Sequence, residues 1–254
     1  MIFRNIVFSA VVVGIIAGSL YGLFQQLQIN PIIYAAEAYE VNSAEIKAGG
    51  HAHGSGSVQA AHDHGEAWVP NDGVERILST LVANILVAIA FSLLMISVMS
   101  LHNLKSNKPR LNCKTGIIWG AGLMLSIFVA PSLLGLHPEI PGTISQALGQ
   151  RQIWWVISVL ATAVGLLLLY YGSAVFKITA VAWLALPQIL GAPVSSTHGY
   201  ANTDPAAIEA LHQLSNQFVI MTTIGMTIFC TLIGALCGFA CSRFVRVTNT
   251  SLAV

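Results

Sequence analysis

Residues 77–101 read ILSTLVANILVAIAFSLLMISVMSL, 25 positions without one charged side chain. About 20 predominantly apolar residues are enough for a helix to cross the hydrocarbon core of a bilayer, so this stretch is long enough to span. Runs of similar character lie at 6–24, 116–136, 153–176 and 218–240, and a shorter one at 178–192. Across the 254 residues 55% are hydrophobic and 8% charged, whereas charged residues make up about a quarter of a soluble domain. The expected fold is all-α, a polytopic transmembrane helix bundle. No nucleic-acid partner is expected; the lipid bilayer is the first partner.

Charge placement sets the expected topology. Lys and Arg near span ends stay on the cytoplasmic side. With Arg4 inside, the connection after the second span carries Lys105, Lys108, Arg110 and Lys114, the one after the fourth carries Lys177, and the tail carries Arg243 and Arg246. All of these are cytoplasmic only if the short run at 178–192 also crosses. All ten acids then fall on the outer side: Glu37, Glu40, Glu45, Asp63, Glu66, Asp72, Glu75, Glu139, Asp204 and Glu209. The reading is about six spans, the fifth short and Pro/Gly-interrupted, with both termini cytoplasmic. The first run continues past Leu20 as Tyr21, Gly22, Leu23 and Phe24, with no small-x-small site directly after it. It therefore reads as a retained anchor rather than a cleaved signal peptide.

Four segments follow from this. Residues 1–34 form the first helix and an amphipathic exit, which Pro31 is expected to kink or restart. Residues 35–76 form an external loop, 77–246 a five-span membrane bundle and 247–254 a cytoplasmic tail. The loop carries His51, His53, His62 and His64 beside Asp63 and Glu66. Imidazoles and carboxylates in this combination suit first-row divalent metals, and two His-x-His pairs on a flexible segment can close around one ion. Gly49, Gly50, Gly54, Ser55, Gly56 and Ser57 equally describe an ordinary linker.

Further candidates lie near the membrane. His137 and Glu139 share a Pro-bounded turn after the third span, and His198 and His212 lie in the outer loop before the last. Asn84, inside the second span, needs a hydrogen-bond partner in lipid, either a neighbouring helix or a transported ion. Pro187, Gln188, Gly191 and Pro193 interrupt the short run, and interrupted spans are a sequence pointer to a transport site. Gly14, Gly18 and Gly22, Gly116 and Gly120, and Gly234 and Gly238 form small-xxx-small rows that predict close helix packing, within the bundle or in a homo-oligomer. Cys230, Cys237 and Cys241 share one helix face, as packing or as a soft-metal cluster. No Walker-type phosphate loop, HExxH pair or nucleophile accompanies these residues, so an enzyme is not expected.

In order along most of the chain, the motifs resemble the CbtA-type predicted cobalt transporter subunits. They comprise the Gly-rich first span with its Gln-rich exit, Glu37-Ala38-Tyr39-Glu40, the histidine loop, and Asp72-Gly73-Val74-Glu75-Arg76 before Ala83-Asn84. After these come Pro138-Glu139-Ile140-Pro141-Gly142, Arg151-Gln152 before Trp154-Trp155, and Leu186-Pro187-Gln188-Ile189-Leu190-Gly191-Ala192-Pro193. Where this chain has Gln188 the family often has histidine, a better ligand for cobalt or nickel than an amide oxygen. The family is usually described with five spans, against the six argued here from charge. The resemblance implies uptake of divalent cobalt for cobalamin synthesis, with the ion as cargo and no bound cofactor. It also implies a small single-span His-rich membrane partner and a place in a bacterial inner membrane with the histidine loop outside. The alternatives are a nickel or zinc permease, or a metal-binding scaffold that delivers ions to another transporter.

Overall fold

The computed structural model describes residues 2–49, 70–71, 73–105, 111–133, 135–193 and 199–245. The described elements are helical: α1 (Ile2–Phe24), a π-helical segment (Gln25–Ile29), α2 (Asn30–Gly49), α3 (Val74–Lys105), α4 (Cys113–Met124), a second π segment (Leu125–Val129), α5 (Ala130–Leu133), α6 (Leu148–Tyr171), α7 (Ala174–Leu190) and α8 (Pro205–Arg243). Five continuous helices are long and apolar enough to cross a bilayer: Ile2–Glu40, Val74–Leu104, Cys113–Leu133, Leu148–Tyr171 and Pro205–Arg243. The chain is an all-α polytopic bundle, with α7 as a shorter apolar helix of 17 residues.

The two ends of the bundle differ in charge. Asn5 donates from Nδ2 to the Phe244 carbonyl at 3.0 Å, so α1 begins where α8 ends, and Arg4 and Arg243 share one end. His102 and Tyr171 meet at 2.5 Å, which brings the ends of α3 and α6 to the same level. α7 starts at this basic end, two residues after α6, and finishes at Gly191–Ala192, where the Ala192 methyl closely approaches Gly135 beyond α5. Seventeen residues at 1.5 Å each cover about 25 Å, so α7 runs from one end of the bundle to the other. The opposite end carries Glu37, Glu40, Glu75, Glu139, Asp204 and Glu209 and is the acidic end.

Glycine rows set the closest helix contacts. Added Cβ atoms on Gly14, Gly18 and Gly22 would collide with Ile89, Ile85 and Leu81 of α3. Gly116 and Gly120 of α4 pack backbone to backbone against Gly234, Gly238 and Cys230 of α8. These rows are filled by contacts within one chain rather than offered to a second copy, because each glycine already has another helix's backbone or Cβ-bearing residue in the space a side chain would take. Cys230, Cys237 and Cys241 are buried in the core these helices enclose. The Cys237 and Cys241 thiols face the Ser92 and Ile96 carbonyls of α3 at 3.9 and 4.0 Å, which is packing.

Pro31 does not restart the first helix. The axis continues from α1 into α2 through the π segment that ends two residues before it. Pro131 stands in the same relation to the second π segment. A proline has no N–H for the carbonyl four residues earlier and its ring crowds that carbonyl; a widened turn accommodates both effects without ending the helix. For Pro131 the carbonyl left over is that of Ile127, and the Trp155 indole of α6 donates to it at 3.1 Å.

Candidate functional site

At the acidic end α1–α2 and α8 extend beyond membrane length, and the connections between helices pack against them. Asp204 caps α8 by accepting from the Ala206 N–H at 3.2 Å, with Pro205 in the first turn. His212 therefore lies on a helix and not in a loop as its position in the sequence suggested. Two connections pair through an isolated antiparallel bridge, Thr143 with Tyr200. Ile144 N–H donates to the Gly199 carbonyl at 3.0 Å and Ala201 N–H to the Gly142 carbonyl at 2.9 Å. Asn202 donates to the Tyr39 carbonyl of α2 at 3.1 Å. Ala36, Ile140 and Leu211 form a small apolar core beneath, with Tyr39, Tyr200, Leu214 and Phe218 around it.

Beside this cap lies a cavity of about 320 Å³. Its walls include His137 and Glu139 from one connection, Arg151 from the start of α6, Pro193 from the end of α7, and Tyr200 and His212 from the far side of the sequence. Arg151 Nη2 holds Glu139 Oε2 at 2.8 Å. The Tyr200 ring stands edge-on to His212, centroids 5.1 Å apart. The cavity thus presents two imidazoles on separate elements, a carboxylate neutralised by a guanidinium, and neutral oxygens from Thr143, Ser145 and Ser215. Among the described residues no three His, Cys, Asp or Glu side chains converge on a point that would hold an ion. The arrangement suits transient contact with a cation better than tight retention.

The other sequence candidates divide clearly. His51, His53, His62, His64, Asp63, Glu66 and His198 lie outside the described residues. The segment that carries most of them joins α2 to α3, and those helices are clamped at its base: Arg76 meets Glu37 at 2.5 Å and lies over the Tyr34 ring, 4.9 Å from its centroid. Glu40 of α2 packs over Gly142, in the connection that also carries His137 and Glu139. Asn84 donates to Gln25 Oε1 of the first π segment at 2.6 Å, the helix-to-helix bond that an amide in a span requires. Gln188 is exposed on α7, while its neighbour Pro187 is buried.

Sequence reading missed two features. The Arg151–Glu139 pair joins a residue read only as part of the Arg151-Gln152 motif to a candidate metal ligand, and the only hint was that both lie near one membrane surface. At the basic end His102 is ringed by Trp119, Tyr170 and Tyr171 at 5.7, 5.9 and 5.7 Å, which no local spacing announces.

No curated protein and no solved structure matches this chain. The family model described as the probable cobalt transporter subunit (CbtA) matches residues 3–242, nearly the whole chain, and the protein belongs to that family.

Proposed function

We propose that this chain is the membrane-embedded subunit of a divalent-cation uptake system, with cobalt as cargo, and that the cavity at the acidic end is its entrance. The supporting observation is that His137 and His212, 75 positions apart in the sequence, line one cavity at the membrane end that also anchors the histidine segment. In this reading His51, His53, His62 and His64, with Asp63 and Glu66, collect the ion outside an inner membrane. His137, His212 and His198 receive it, and the metal goes on to support cobalamin synthesis. A small single-span His-rich partner completes the system.

Cobalt uptake by cells expressing the chain, with and without that partner, tests the reading. Replacing the four loop histidines with alanine should reduce uptake at low external cobalt and leave it intact at high cobalt. A second reading is a scaffold that hands metal to another transporter. It is favoured by the scarcity of ionisable residues within the spans, since transport paths usually contain them. Uptake by the purified chain in proteoliposomes would eliminate it.

A further inference from the structure

Helix α6 presents two faces with opposite hydrogen-bond accounts. On one, the Trp155 indole N–H is bonded to the Ile127 carbonyl, whose α-helical donor position is occupied by Pro131. On the other lie Trp154, Ser158, Ala161, Thr162 and Gly165, all buried. This second face packs on α7, because an added Cβ on Gly165 would strike Leu184 and the Ala180 carbonyl. Trp154 and Ser158 are 6% and 0% exposed, and neither the buried Trp154 Nε1 nor the buried Ser158 Oγ has a protein partner among the described residues.

The helices run antiparallel, so register follows from the Gly165 contact. Toward the acidic end from that contact, α6 offers Ser158, seven residues from Gly165, and α7 offers Pro187, three residues past Leu184 and seven past Ala180, with its side chain fully buried. Pro187 deprives the Trp183 carbonyl of the donor that position would supply. One turn further along α6 is Trp154, and close to one turn beyond that is Arg151, on the cavity wall. At the matching end of α7 is Pro193, also on the cavity wall.

We infer that the seam between α6 and α7 continues the acidic-end cavity into the membrane, as a hydrated slot along Trp154, Ser158 and the Trp183 carbonyl that the divalent cation follows. Buried polar groups without protein partners are met by water where the site is polar and roomy enough. The indole N–H only donates, so it orders water. The Ser158 hydroxyl and the carbonyl are neutral oxygens that can replace part of an ion's hydration shell without trapping it, the balance conduction needs. The route uses the Pro187 side of α7 and leaves Gln188 on the exposed side. The ion-following part of the inference rests on the proposed entrance; the hydration of the seam does not.

Thiol accessibility tests it in full-length protein in membranes. In a Cys113→Ser parent, which keeps the three buried cysteines as background, Ser158→Cys, Thr143→Cys at the cavity and Leu160→Cys on the exposed apolar face are treated with a maleimide, with and without cobalt. Thiols react as thiolates in contact with water, so Ser158→Cys should label within about tenfold of the Thr143→Cys rate, and cobalt should slow that labelling severalfold. Labelling as slow as Leu160→Cys would overturn the slot, and labelling that cobalt does not slow would overturn its use by the ion. Thr162→Cys, one turn deeper on the same face, serves if Ser158→Cys fails to insert. If Ser158→Cys is labelled and protected while cobalt uptake is indifferent to His137 and His212, the entrance reading falls and the slot stands.

Discussion

Arg151 reaches back from the first turn of α6 to hold Glu139, Nη2 to Oε2 at 2.8 Å, in the connection that also carries His137. The side chains are 23% and 26% exposed, so the pair is neither fully screened nor fully desolvated. A coupling of about 1 kcal/mol is expected. A double-mutant cycle with Arg151→Met and Glu139→Gln, read from thermal unfolding in detergent, measures it. A coupling indistinguishable from zero would mean that the connection is held by the Thr143–Tyr200 bridge alone.

The glycine contact between α4 and α8 predicts a sharp positional contrast. Gly120→Val places a side chain where the Cys230 carbonyl already stands and should destabilise the bundle by about 1–3 kcal/mol. Gly122, two residues away, faces open space, and Gly122→Ala should be neutral or stabilising by up to about 1 kcal/mol. Melting temperatures in one detergent compare them directly, and equal loss at both sites would contradict the packing.

The proline compensation at Ile127 can be tested by deleting the donor. Trp155→Phe keeps most of the ring and removes the N–H that meets the Ile127 carbonyl. Leaving that acceptor unpaired should cost about 1–3 kcal/mol. A variant as stable as the native protein would show that the π segment satisfies the carbonyl by itself.

For the amide pair, Asn84→Leu is expected to cost about 1 kcal/mol, because Gln25 Oε1 loses its donor within a span. Leucine at both positions should recover part of the loss. If Asn84→Leu abolishes cobalt uptake at unchanged stability, Asn84 serves the transport path rather than the helix contact.

Metal capture by the histidine segment should depend on pH in one direction. Only neutral imidazole coordinates, so protons compete with the ion. Affinity should be greatest well above about pH 6.5 and weaken as the pH falls through it. Cobalt titration of the full chain in detergent at pH 7.5 and pH 5 checks the sign, and the variant with alanine at His51, His53, His62 and His64 should lose the dependence.

The class of fold and the polarity of the bundle were written in the sequence. Whether a segment such as 77–101 enters a bilayer depends on its own apolar length, and which end carries Arg4, Arg243 and Lys177 depends on charges next to the spans; both are local properties. Only the tertiary structure decided that the glycine rows pack within one chain, that His212 stands on α8 and shares a cavity with His137, and that Arg151 neutralises Glu139. It alone showed that Trp155 finds the Ile127 carbonyl while Trp154 and Ser158 are buried without a partner among the described residues. Those outcomes join residues from different helices. They are fixed by rotation, register and close approach between helices, which no run of neighbouring residues encodes.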